Sequence, residues 1–317
     1  MGGNAFPGKT RRYAADEYYT LVNKLTPVVE GFASRAVAIP AYHSKESFGD
    51  LDMLYTPSRV VDESLLSNSF ETTDLFHNGD VWSLVHGDFQ VDLIHTPVHE
   101  FDYALKYFGY NDFGNLCGKL AHKFGLKHGH DGLKYVVRSA DHVLGEIVLT
   151  LDPTVTFDLL DIKYPEDGFN TLEDIFRCVT ASKVFSSEMF AFENMNHIAR
   201  IRDKKRSTYT AFLQYIADHP ELPVLEFNRD KTVYLPMIFE RFPHAKPKFD
   251  ELWAKKHLLE RAREKFNATL VTEMTGLQNK ELGEIMRKLR PILTPEIVDT
   301  MSQDEIRQTI NDVWKQK

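Results

Sequence analysis

At 317 residues, 43% of them hydrophobic, the chain is long enough to bury a core as one large domain or as two or three small ones. Charged residues make up 26% and the net charge is -8, which excludes a global basic field for nucleic acid and leaves only local patches to meet a polyanion. Two cysteines, Cys117 and Cys178, exclude a disulfide framework and a cysteine-rich zinc site, and no apolar run is long enough to span a bilayer.

The start, "MGGNAFPGKTRRY", has no signal-like apolar region, and although Gly2 invites a myristoylation reading, Phe6 stands where Ser or Thr is required. A cytoplasmic protein of a reducing compartment is expected. Apolar residues at helical spacing in "ADEYYTLVNKLTPVVEGF" predict a helix, with Pro27 a kink or stop near its end. The runs "SRAVAIPAY" and "DLDMLYTP" read as strands flanking the polar loop "HSKESFG", and "VVDESLLSNSF" reads as a helix. In "DVWSLVHGDFQVDLIHTP", alternation on either side of "HGD" predicts a hairpin with strands near 81–86 and 89–95. "NDFGNLCGKLAHKFG" places Phe113, Leu116, Cys117, Leu120, Ala121 and Phe124 on one helical face, with Asn111 or Asp112 as cap and Gly125 as stop. "LKYVVRSADHVLGEIVLTLDP" predicts a second hairpin turning at "SADH". Past Pro153 come long amphipathic segments: "NTLEDIFRCVTAS", "STYTAFLQYIADH", "KPKFDELWAKKHLLERAREKF", "NKELGEIMRKLRPIL" and "SQDEIRQTINDVWKQK". The expected fold is α+β, with a mixed sheet backed by helices over 1–152 and a mainly helical region over 153–317.

Successive strand side chains alternate faces, so Asp50 and Asp52 point the same way, while Asp92 is a lone acid between Val91 and Leu93. An Asp-x-Asp at a strand start is commonly a turn residue followed by a solvated face. If the Asp92 strand lies beside the Asp50 strand, three carboxylates converge. Unpaired, they would repel and raise their own pKa values, a cost that hard divalent cations remove. Two Mg²⁺ ions, or Mn²⁺ in their place, roughly 3.5–4 Å apart would clamp the attacking and leaving oxygens of a phosphoryl displacement. Gly49 lets the backbone enter the strand tightly, and Ser44, Lys45 and Ser47 are candidate phosphate donors.

"SFGDLDMLY" followed by "FQVDLI" resembles the catalytic signature of the nucleotidyltransferases of the DNA polymerase beta superfamily, a likeness covering roughly 33–95. More narrowly, "YHSKESFGDLD" with "YNDFGNLCGKLAHKFGLKHGHDGL" is similar to the nucleotidyltransferases of large tailed bacteriophages. The resemblance implies that Asp50 and Asp52 hold two Mg²⁺ ions, that Asp92 is the third carboxylate, and that an NTP is the substrate, an acceptor oxygen attacking its α-phosphate with loss of pyrophosphate. A phage origin would place the protein in the host cytoplasm. The superfamily usually carries Gly-Ser at the end of its first strand; this chain reads "PAYHS" there, with Ser44 as the substitute.

Beyond this signature, Asn115, Lys119 and His122 form a polar stripe that is either a solvated face or a nucleotide border, with Lys119 on a phosphate and Asn115 on ribose or base. Gly114 and Gly118 would let that helix approach the sheet or a ligand closely. His122, His128 and His130 lack the spacing of a fourth zinc ligand. "NHIARIRDKKRSTY" concentrates Arg200, Arg202, Lys204, Lys205 and Arg206, which read as a solvated face or as a contact to an RNA backbone. "LVTEMTGLQNKELGEIMRKLR" looks like the helix-turn-helix late in bacterial CCA-adding enzymes and poly(A) polymerases, though their Glu-Asp…Arg motif is not evident. An RNA 3′ end, tRNA-like, is therefore the expected acceptor. A small-molecule or protein acceptor, a hydrolase using the same acids, and a non-catalytic nucleic-acid- or partner-binding protein are the alternatives.

Overall fold

The computed structural model describes residues 5–140, 142–195, 197–226 and 228–315; Gly2, Asp141 of the "SADH" turn and the last two residues of the terminal amphipathic segment lie outside them. The chain forms two compact units, Met1–Tyr135 with Val148–Ile238, and Val136–Ile147 with Phe239–Lys317.

The elements up to the second unit's helices are β1 (Tyr13–Ala14), α1 (Ala15–Glu30), β2 (Ala33–Ala38), β3 (Ser47–Phe48), β4 (Asp50–Pro57), α2 (Glu63–Phe70), β5 (Leu75–Asn78), β6 (Val81–His86), β7 (Phe89–His95), α3 (Phe101–Phe108), α4 (Phe113–Lys123), β8 (Leu126–Gly129), β9 (Gly132–Ser139), β10 (His142–Thr150), α5 (Pro153–Leu159), α6 (Leu172–Thr180), α7 (His197–Lys204), α8 (Ser207–Asp218) and α9 (Leu235–Arg241). The architecture is α+β. A five-stranded mixed sheet of order β2-β4-β7-β6-β5 carries one parallel pair, β4 with β7, among antiparallel ones. Both hairpins read from alternation are present. The second is the pair β9–β10, whose base belongs to the first unit and whose tip belongs to the second.

Period-two patterning assigns the faces of the sheet. Leu51, Met53, Val91 and Leu93 are fully buried on one face, where Leu21, Leu25 and Val29 of α1 and Leu66 and Phe70 of α2 complete the core. That burial holds the last turn of α1 past Pro27, so the helix ends at Glu30 and not at the proline. On the other face, Leu54 packs with Phe101 and Ala104 of α3, a helix with no side-chain cap bond that the sequence pattern does not foresee. α3 covers only the Leu54 end. The Asp50 end is left open.

The composition change at 152/153 does not coincide with the division into units. α5 packs on α3 and α6 on α4, so residues 153–238 belong to the first unit. In the second unit, α10 (Ala245–Lys265), α11 (Ala268–Thr275), α12 (Asn279–Leu289), α13 (Pro295–Thr300) and α14 (Gln303–Lys315) bury Val271, Leu289, Val298, Ile306 and Ile310. Gly276, with φ of 73°, ends α11 before α12. The basic face of α10 is partly self-neutralised: Lys246 pairs with Asp250, Lys256 with Glu260, and Arg261 with Asp299. Among the described residues, no helix is long and apolar enough to cross a membrane.

The two glycines of α4 differ. A Cβ on Gly114 would sit 2.1 Å from the backbone oxygen of Tyr107, so this glycine serves the close approach of α3 and not of the sheet or a ligand, whereas a Cβ on Gly118 meets only the oxygen of His128 at 3.8 Å. Gly114→Ala is expected to cost about 2 kcal/mol or more through overpacking against backbone, while Gly118→Ala should be neutral or stabilise by up to about 1 kcal/mol. Equal shifts in the two thermal melts would contradict this account.

Candidate active site

The parallel register sets Asp50 opposite Gln90 and Asp52 opposite Asp92. Each of the three aspartates offers an oxygen within 4.8 Å of the others. The sequence-level condition for convergence is therefore met by strand pairing. Burial, then the charges of Asp50 and Asp92, hold the Asp52 carboxyl well above the usual range, with Lys45 opposing. Burial also raises Asp92, against hydrogen bonds from Ser83 and Gln90 that lower it and the charge of Asp50 that adds to it.

Gln90 is a site residue that sequence reading missed. It is 4% exposed, donates to Asp92 Oδ2 at 2.8 Å and accepts the Ala5 amide at 2.9 Å, so the N-terminal segment braces the third carboxylate. The other oxygen, Asp92 Oδ1, is buried with no hydrogen-bond partner among the described residues. An orphaned carboxylate oxygen beside two further carboxylates is a donor set suited to Mg²⁺ or Mn²⁺, and it is costly without a cation.

Asp50 and Asp52 open into a cleft of about 890 Å³. Lys45 and Gly49 line it, with Lys45 Nζ lying 4.5 Å from the Phe48 ring centre. Burial lowers the Lys45 pKa, and Asp50 and Asp52 raise it in opposition. Ser44 and Ser47 do not line the cleft. The Ser44 amide donates to the Asn170 carbonyl at 2.8 Å, and Ser47 Oγ accepts from Arg12 Nη2 at 3.0 Å. Arg12 itself reaches the cleft.

The junction of α7 and α8 supplies the remaining charge. Arg202, Lys205, Arg206, Ser207 and Thr208 line the same cleft as Asp50 and Asp52, whereas Asp92 lies outside its lining. α8 begins there with no side-chain cap bond at Arg206, so its first amides and the positive end of its dipole are available to an anion. The signal in the sequence was a basic run ending where an amphipathic helix starts. Of the other two cations in the run, Arg200 donates to the carbonyls of Phe192 and Met195 at 3.1 Å, and Lys204 Nζ lies 5.5 Å from the Phe192 ring centre.

Asn115 and Lys119 also lie outside the cleft lining. Lys119 Nζ is 2.9 Å from Asp203 Oδ2, and Asn115 Oδ1 accepts from Arg202 Nη2 at 3.3 Å, because the stripe they form on α4 packs toward α7. His128 is buried, with Nδ1 on the Tyr103 hydroxyl at 2.7 Å, which fits a core histidine better than a zinc ligand. Neither a family model nor a curated protein matches the chain.

The raised Asp52 carboxyl has a consequence for stability. A carboxyl that binds its proton more tightly folded than unfolded contributes stability that is full below its unfolded pKa near 3.8 and is lost as pH rises through the folded value. Asp52→Asn removes the charge, so it should raise the melting temperature of the metal-free protein at about pH 8 by roughly 2–4 °C. Mg²⁺ is expected to stabilise the parent and not this variant. Melts with Mg²⁺ and with chelator check both; Mg²⁺ stabilisation retained in Asp52→Asn would remove Asp52 from the metal site.

Proposed function

We propose that this chain is a metal-dependent nucleotidyltransferase of the DNA polymerase beta superfamily type, moving an NMP from an NTP to an acceptor hydroxyl. The observation that carries the reading is one cleft with two opposite chemistries: converging carboxylates on the sheet, and three cations with an uncapped helix N-terminus at the α7–α8 junction. A substrate that needs both is a metal-bound polyphosphate.

Asp50, Asp52 and Asp92 would hold two Mg²⁺ ions, which when bound supply Lewis-acid polarisation of the α-phosphate and lower the pKa of the attacking hydroxyl. Lys45, Arg12 and the α8 N-terminus would bind the β- and γ-phosphates, the work that Gly-Ser does elsewhere in the superfamily. Arg12, Lys45 and the α8 N-terminus would thus offset the "PAYHS" departure. Asp92 Oδ1 would take the acceptor proton as the new oxygen–phosphorus bond forms and the bond to the β-phosphate oxygen breaks, releasing pyrophosphate.

The basic run bears on the acceptor. With Arg202, Lys205 and Arg206 lining the cleft, it supports triphosphate binding more than contact with a polynucleotide backbone. An RNA 3′ end stays the proposed acceptor on the helix-turn-helix likeness of α11 and α12.

The direct test is incubation with each NTP radiolabelled at the α-phosphate, with Mg²⁺ or Mn²⁺ and total RNA, beside the Asp50→Ala/Asp52→Ala double variant. Label on RNA that requires the aspartates is the expected result. Label on the protein itself would assign a protein acceptor, and no transfer with no metal-dependent NTP binding would reject the reading. Asp92→Ala should lower turnover by about a hundredfold or more while changing NTP affinity far less. Turnover left intact in that variant would exclude Asp92 as the base.

A further inference from the structure

Arg202 reaches the cleft with half its side chain exposed, yet its inner edge is tied to a fully buried acid. Its Nε donates to Asp203 Oδ1 at 2.7 Å and its Nη2 to Asp203 Oδ2 at 3.1 Å. Nη2 also reaches Asn115 Oδ1 at 3.3 Å. Lys119, 16% exposed, pairs with Asp203 Oδ2 at 2.9 Å from the other side, with the Tyr209 ring centre 5.4 Å from its Nζ. Burial works to raise the Asp203 carboxyl, but the bonds from Arg202 and Lys119 overcome it and hold the group below the ordinary carboxylate range.

We infer that Lys119, Asp203 and Asn115 are positioning residues that aim Arg202 at the polyphosphate, an inference that rests on the nucleotide reading of the cleft. Two physical features support it. A guanidinium presents two hydrogen-bonding edges, and a carboxylate that takes the Nε/Nη2 edge in fork geometry fixes the plane and leaves the Nη1 edge for a ligand. Charge is the second feature. An Arg–Asp pair alone is neutral and attracts an anion weakly, whereas the triad of Lys119, Asp203 and Arg202 carries a net positive charge whose exposed end is Arg202. Lys119 thus acts on a ligand that it does not touch, through the acid between them. This also explains why the polar stripe of α4 reads as a nucleotide border in sequence while lying outside the cleft: it supports the α7 residue that reaches it.

Calorimetric titration with magnesium tripolyphosphate tests this, because stoichiometry reports the folded fraction and affinity reports the site. Lys119→Met leaves Asp203 paired with Arg202 but cancels the net charge, so affinity should fall by about tenfold. Lys119→Arg keeps both charge and pairing and should bind like the parent. Arg202→Lys conserves charge but loses the fork, and should fall by about tenfold as well. Parent-like affinity in Lys119→Met or Arg202→Lys, or a loss confined to stoichiometry and melting temperature, would overturn the inference and leave the nucleotide reading standing. A parent protein that binds no tripolyphosphate would overturn both.

Discussion

The parallel pairing of β4 with β7 is the constraint on which the site depends. It sets Asp52 across from Asp92 and brings three carboxylates together where burial already disfavours the charges of Asp52 and Asp92. Like charges this close would push the strands apart or slip their register if nothing opposed them. What opposes them is the other face. Leu51, Met53, Val91 and Leu93 are fully buried against α1 and α2, and a one-residue slip of either strand would take its pair off that face while turning its own acid or acids into the core. The cost of the cluster is thus carried by the hydrophobic core beneath it.

The strain is also local and shaped. Gln90 holds one oxygen of Asp92 and is held in turn by the Ala5 amide, and Ser83 lies opposite Asp92 across the β6–β7 pair. These contacts fix the carboxylate while leaving Oδ1 without a hydrogen-bond partner among the described residues. A fully satisfied Asp92 would be more stable and less able to bind a cation or take a proton.

Much of this was legible in sequence because it is local. Alternation located the hairpin strands and put Asp50 and Asp52 on one face, and the lone acid between Val91 and Leu93 marked the third member. Partner choice was less legible. Helical spacing showed that Asn115 and Lys119 share a face of α4, but no periodicity says that the face meets Asp203 and Arg202, more than eighty residues later, before any ligand. The basic run was read as a unit from its charge, yet its members divide by helix geometry: Arg200 turns to backbone carbonyls, while Arg202, Lys205 and Arg206 face the cleft. α3 escaped for a related reason. It lacks a capping signal, and its buried face is defined by the sheet it covers.

The two chemistries of the cleft differ in how they are balanced without a ligand. Arg202 is paired with Asp203 and Arg206 with Asp112, so the mutual repulsion of the α7–α8 cations is already reduced by acids of the same unit. Such a surface can be rigid before an anion arrives, and preorganised charge is the kind that stabilises a transition state most. Asp52 and Asp92 are balanced differently: burial holds both carboxyls up, against Lys45 at Asp52 and against hydrogen bonds from Ser83 and Gln90 at Asp92. Lys45 offsets Asp52 in part, and the remaining cost is one that a proton or a bound divalent cation would relieve. A polyphosphate arriving alone would meet favourable cations and unfavourable aspartates in one cleft, and the two terms would largely cancel. Arriving with its metal, it meets both favourably. On the proposed nucleotide reading, the asymmetry would make metal and polyphosphate binding mutually dependent, each raising the affinity for the other by the same factor.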